Sequence, residues 1–137
     1  MRSLELERNG LASAPLFAPK EVKLAVAAAN RLVGKPYKYG GGHARLNDSG
    51  YDCSGATSYV LREAGLLEGH LTSRGFFNYG KRGKGDWITV YTRNGHTFLV
   101  IGGLRFDTGG SAHETGPRWK PESRRVDGHA MRHPRGL

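Results

Sequence analysis

Apolar residues recur at helical spacing early in the chain. Val22, Val26, Ala29, Leu32 and Val33 share one face of a helix predicted over residues 19–33. Pro19 suits its first turn, Gly34 ends it and Pro36 keeps it ended. A second helix is predicted over residues 53–64, with Asp52 as N-cap and Gly65 as the stop. The pattern then changes to strands. Trp87-Ile88-Thr89-Val90-Tyr91 reads as the first. Asn94-Gly95 is a strong hairpin signal, residues 96–101 form the next strand, Gly102-Gly103 a second turn, and residues 104–108 the third strand. This is an α+β pattern: helices first, then an antiparallel meander.

The remaining stretches carry weaker signals. Residues 1–18 have no clear period and read as an N-terminal arm or linker, with Leu16 and Phe17 placed to staple onto the first helix. Residues 37–51 read as a Gly-rich loop. Residues 66–84 read as short helix and loop anchored by Phe76, Phe77 and Tyr79. After Thr108 the chain is rich in Gly, Pro, His and Arg. Residues 109–137 read as a loop-rich tail, with a long loop over 109–120 and short edge strands at Arg124-Arg125-Val126 and Ala130-Met131-Arg132. No internal repeat is visible, and 137 residues suit one domain, here residues 19–137. Mean hydropathy is −0.54, and no apolar run is long enough to span a membrane. The first ten residues lack the apolar stretch of a signal peptide.

Chemistry centres on Cys53, the single cysteine, which cannot form an internal disulfide. An arbitrary lone cysteine is most often a buried, inert side chain. This one falls in the first turn of a helix, where free N–H groups and the dipole favour a thiolate. Asp52 works partly against that by charge repulsion. A cysteine nucleophile needs a base and a group to orient it. Among six histidines, His96 opens a strand directly after a hairpin turn, a rigid place for a ring; His43, in the loop before Cys53, is the alternative. Pairing parity supplies the third group. If Gly102-Gly103 is a two-residue loop, Ile101 pairs with Leu104 and Phe98 with Asp107. His96, Phe98, Arg105 and Asp107 then share a face, and Asp107 is the diagonal neighbour of His96. The competing role for Asp107 is to pair with Arg105. Gly40-Gly41-Gly42 lacks the context of a phosphate cradle and better serves close backbone approach to a substrate or to the Cys53 helix. His129 and His133 have metal-like spacing, but Pro134 follows at once; His113-Glu114 is isolated. No metal site and no cofactor are expected. Trp87 and Trp119 read as packing residues, with Trp119 a candidate edge for a groove.

The run Gly34-Lys35-Pro36-Tyr37-Lys38-Tyr39-Gly40-Gly41-Gly42, followed by Asp52-Cys53-Ser54-Gly55, Gly85-Asp86-Trp87 and Gly95-His96, resembles the NlpC-type peptidoglycan endopeptidases. These are papain-like cysteine peptidases of the bacterial wall. The resemblance covers residues 19 to 108, approximately. It implies a nucleophile-bearing helix packed on an antiparallel β-meander, with an additional N-terminal helix. It implies a Cys53–His96 peptidase acting on cell-wall stem peptides, often at the γ-D-glutamyl bond to a diamino acid, in a secreted or wall-associated setting. It further implies that Tyr37, Asp52 and Ser54 line the site for the peptide's N-terminal amine; Tyr39 is an alternative to Tyr37, and Asp52 and Ser54 would also serve simply as helix caps. Relatives often carry His, Asn or Gln as the third polar residue. Here Phe106-Asp107-Thr108 stands at that place, a departure from the pattern.

Net charge is +9 and the pI about 10.1, which favours an anionic partner. Anionic wall polymers fit that balance. Nucleic acid is disfavoured, since no zinc-finger spacing, aromatic RNA-binding signature or recognition helix is visible. A generally basic, solvated surface explains the charge equally well. Two other functions compete with the peptidase. One is an amidase, deamidase or transpeptidase using the same acyl-enzyme. The other is a non-catalytic basic module that binds wall polymer or nucleic acid.

Overall fold

The computed structural model describes residues 3–43, 47–108, 116–121 and 128–137. Two helices pack on one face of an antiparallel sheet, an α+β arrangement. Helix α1 (Lys20–Leu32) buries Val22, Ala25, Val26, Ala28, Ala29 and Leu32. Its alanines let α2 (Cys53–Glu63) come close. Helix α2 is the more deeply buried, from Ser54 through Leu61. Asp52 caps it, Oδ1 accepting from Gly55 N at 2.7 Å. Gly65, at φ +77°, ends it as expected.

Before the helices, β1 (Glu5–Leu6) and β2 (Ala12–Ser13) form a small hairpin. Leu4, Ala12 and Ala18 are buried in the main core, and Leu4 N donates to Gly102 O at 2.9 Å. Leu16 stays exposed, and the Phe17 ring lies 5.9 Å from that of Trp87. The link from this segment to α1 is polar: Lys23 Nζ donates to Leu16 O. Asn30 of α1 joins three elements. Its side chain exchanges two hydrogen bonds with the Ala12 backbone and accepts a third from Trp119 Nε1 at 2.8 Å.

The main sheet contains β3 (Lys81–Arg82), β4 (Ile88–Arg93), β5 (His96–Ile101), β6 (Leu104–Asp107), β7 (Arg118–Pro121) and β8 (Ala130–His133). Their order is β3-β8-β4-β5-β6-β7. The β5–β6 register has Ile101 opposite Leu104, Val100 opposite Arg105 and Leu99 opposite Phe106, the pairing that a two-residue turn dictates. Alternation then divides the sheet. Ile88, Val90, Leu99, Ile101 and Phe106 join the helix-side core, while Tyr91, Phe98 and Val100 form a second cluster.

The tail differs from expectation in two places. Arg118–Pro121 is a strand where a long loop was expected. It holds because Trp119 is buried against Phe106 and anchored on Asn30. Pro121 is tolerated because β7 is an edge strand among the described residues. Ala130–His133 is a strand but not an edge: it lies between β3 and β4. The short partner Lys81–Arg82 was not visible in the periodicity, since two residues carry none. The strand expected at Arg124-Arg125-Val126 falls outside the described residues. Among the described residues, no helix is long and apolar enough to cross a membrane.

Candidate active site

The cap that starts α2 also places Cys53 in its first turn, with the sulfur half-buried. The Gly-rich loop leans directly on this helix start. Gly41 O accepts from Asp52 N at 3.3 Å. A Cβ on Gly55 would collide with Gly41 O, and one on Gly42, at φ +85°, would meet the Tyr51 ring and the Gly55 backbone. The glycines are there because two stretches of backbone touch.

Across from the sulfur stands His96, at the start of β5. It is buried and close enough to Cys53 for the sulfur to favour its charged form. Its Nε2 lies 3.1 Å from Asp107 Oδ1, and the Asp107 side chain is fully buried. The contact is an ion pair whose N–H is not well aligned on the oxygen. The other carboxylate oxygen, Oδ2, accepts from Arg105 Nη1 at 2.7 Å. Asp107 therefore sits between an imidazole and a guanidinium; the two roles weighed for it coexist. Burial alone would discharge His96, but the adjoining Asp107 and Cys53 outweigh it and raise the imidazolium pKa to about 9. Behind the ring, Phe98 and His129 pack at 5.8 and 6.2 Å between centroids.

His43, the alternative base, belongs to a different cluster. Its Nε2 is 3.0 Å from Asp52 Oδ1 and 2.9 Å from Ser54 Oγ, and its ring meets the edge of His70 at 4.9 Å. Tyr37, Tyr39, His43, Asp52, Cys53 and Ser54 line one open cleft of about 340 Å³, closed on its other side by Thr72, Ser73 and Gly95. All three residues implied as substrate contacts thus line the same cleft as Cys53. Trp119 does not edge it; it is buried in the core. His113 and Glu114 fall outside the described residues. Among those described, no group of three or more His, Cys, Asp or Glu side chains is placed to hold a metal ion.

Two contributors escaped the sequence reading. Asp48 clamps the cleft loop: Lys38 Nζ sits 3.0 Å from Oδ1, and Ser49 N and Gly42 N donate to the carboxylate. Lys38 first, then these N–H groups, hold its pKa down at about 2. The turn chemistry of Asn47-Asp48-Ser49-Gly50 was the available signal. His129 is the other, and nothing in its sequence neighbourhood points to His96.

No family model matches the chain, and no curated protein matches it in sequence. Solved structures do match. A peptidoglycan hydrolase, RipB of Mycobacterium tuberculosis, superposes with a TM-score of 0.63 at 23% identity, over 82% of this chain and 64% of that one. NlpC1 of Trichomonas vaginalis gives 0.65 at 14%, over 88% and 46%. A Staphylococcus aureus protein described as similar to lipoprotein, NLP/P60 family, gives 0.61 at 19%, over 85% and 42%. The chain thus spans between 42% and 64% of the length of these three structures. What the chain shares with them at such identities is architecture: it has the papain-like α+β fold of the NlpC/P60 proteins.

Proposed function

We propose that the protein is a cysteine peptidase that hydrolyses amide bonds in peptidoglycan stem peptides through an acyl-enzyme on Cys53. The observation that carries this reading is the chain of contacts from Cys53 through His96 to the buried Asp107, opening on a cleft. The likeness to a peptidoglycan hydrolase of the same fold supports the substrate class.

Chemistry follows from the arrangement. With Asp107 facing Nε2, the other ring nitrogen, Nδ1, is left to exchange a proton with the sulfur. The Cys53 thiolate attacks the amide carbon while His96 holds the proton. Charge develops on the carbonyl oxygen, which the backbone N–H of Cys53 at the helix start stabilises. The tetrahedral intermediate collapses, the C–N bond breaks, and His96 gives its proton to the departing amine. Water then enters, His96 takes one of its protons, and hydroxide attacks the thioester. The acid leaves and the thiol is restored. Asp107 keeps the ring oriented and stabilises its cation; Arg105 holds the other oxygen of Asp107 in place. Tyr37, Asp52 and Ser54 form the wall that receives the acyl side of the substrate. The basic surface favours retention on anionic wall polymers, and the setting in this reading is secreted or wall-associated.

Purified wall peptides incubated with wild type and with Cys53→Ala test the reading. New amine and carboxyl termini, read by mass, should appear with wild type alone. Equal cleavage by both proteins would remove Cys53 from the chemistry. Retention of wall polymer by both proteins, with cleavage by neither, would favour a binding module.

A further inference from the structure

The carboxylate in the cleft beside Cys53 already has an imidazole parked on it, which bears on the substrates the cleft accepts. This step rests on the peptidase reading above. Asp52 is the only carboxylate among the described residues that line the cleft. It is the natural seat for a positively charged group on a substrate. Its oxygens, however, are already engaged. Oδ1 accepts from Gly55 N at 2.7 Å and from Ser54 Oγ at 3.3 Å, and His43 Nε2 stands 3.0 Å away. Oδ2 accepts from Gly40 N at 3.1 Å. These donors crowd both acceptor sites of Oδ1 and take one of the two on Oδ2, so an incoming cation meets a carboxylate with a single site left.

His43 is held in this role by more than one contact. Ser54 Oγ lies 2.9 Å from the same Nε2, and the ring edge of His70 packs against it. Its side chain is mostly buried, at 18% exposure. An incoming ammonium would have to displace the imidazole or exchange its water shell for the one acceptor site left on Oδ2, a costly exchange. The other polar side chains on the cleft wall are hydroxyls: Tyr37, Tyr39, Ser54, Thr72 and Ser73. Hydroxyls suit the carbonyl oxygen and N–H of an amide, which carry no net charge to desolvate.

We propose that His43 is a specificity-determining residue that makes the cleft select peptides whose amino end is blocked as an amide over peptides with a free terminal ammonium. The substrate class is then peptide still joined through its amino end to a larger body, rather than released peptide.

The test uses two peptides of one stem sequence, amino end free or acetylated. Wild type should cleave the acetylated form with a kcat/KM about tenfold or more higher, the size expected of one unpaired polar group. His43→Ala should shrink that ratio to within about twofold or invert it, by freeing an acceptor on Asp52. His43→Asn, which keeps a donor, should retain part of it. Calorimetric binding of both peptides to Cys53→Ala, with His43 in place, should show the same order in Kd and needs no variant at position 43. A wild-type preference for the free amine, or an unchanged ratio in His43→Ala, overturns the inference while leaving the peptidase intact. If wild type cleaves neither peptide and Cys53→Ala binds neither, the peptidase reading falls and this inference falls with it.

Discussion

The two walls around Cys53 are built differently. On one side, His96, Asp107 and Arg105 project from paired strands, and the polar chain is nearly sealed from water. On the other, His43 and Asp48 sit on a glycine-rich loop that meets α2 through its backbone and through His43 on Asp52, and that the Lys38–Asp48 ion pair clamps onto itself. Strand pairing fixes side-chain positions through a rigid two-residue repeat, which suits groups that must pass a proton. Loop anchoring by glycine and carboxylate allows small adjustments, which suits groups that sort substrates.

The contrast breaks most sharply at Asp107. Asp107→Ala leaves His96 and Arg105 buried without their shared anion. A loss of about 3–5 kcal/mol is expected in chemical denaturation, the range for removing one partner of a buried pair. On the loop side, Gly55→Ala should cost less, about 1–3 kcal/mol, because the loop must lift off Gly55 to clear the methyl group. The same change should slow peptide cleavage by moving the cleft wall. Lys38→Met removes only an ion pair with a half-exposed lysine, and denaturation should register the smallest change of the three.

A pH series sharpens the same comparison. His96 is faced by Asp107, Cys53 and His129, with Arg105 beyond Asp107. Its folded pKa of about 9 lies above the ordinary 6.5. Stability contributed by the charged ring is therefore complete below about 6.5 and lost as pH rises through about 9. Wild type should lose denaturation free energy across that window, and His96→Ala should lose less. A flat profile in both would mean that the folded protein does not hold the ring charged above its ordinary pKa.

How much was legible in the sequence follows the same division. Helix boundaries at Lys20–Leu32 and Cys53–Glu63 came within a residue or so, because Pro19, Asp52, Gly34 and Gly65 are strong punctuation. The β5–β6 register was readable because Gly102-Gly103 permits one tight turn, and the position of Asp107 followed from parity. Arg118–Pro121 was not readable, since its burial depends on Asn30, 89 residues away in the chain. Nor was the tie between His43 and Asp52, which depends on how a loop folds back rather than on any period. The motifs that carry the resemblance pointed to Cys53, but they hold no information about a ring parked on its neighbouring carboxylate.

The central claim is that the Cys53 sulfur is activated by His96. Iodoacetamide alkylation at about pH 7, followed by intact mass, reads it directly. The account predicts rapid single modification of wild type and much slower modification of folded His96→Ala. Equal rates in the two proteins would contradict it.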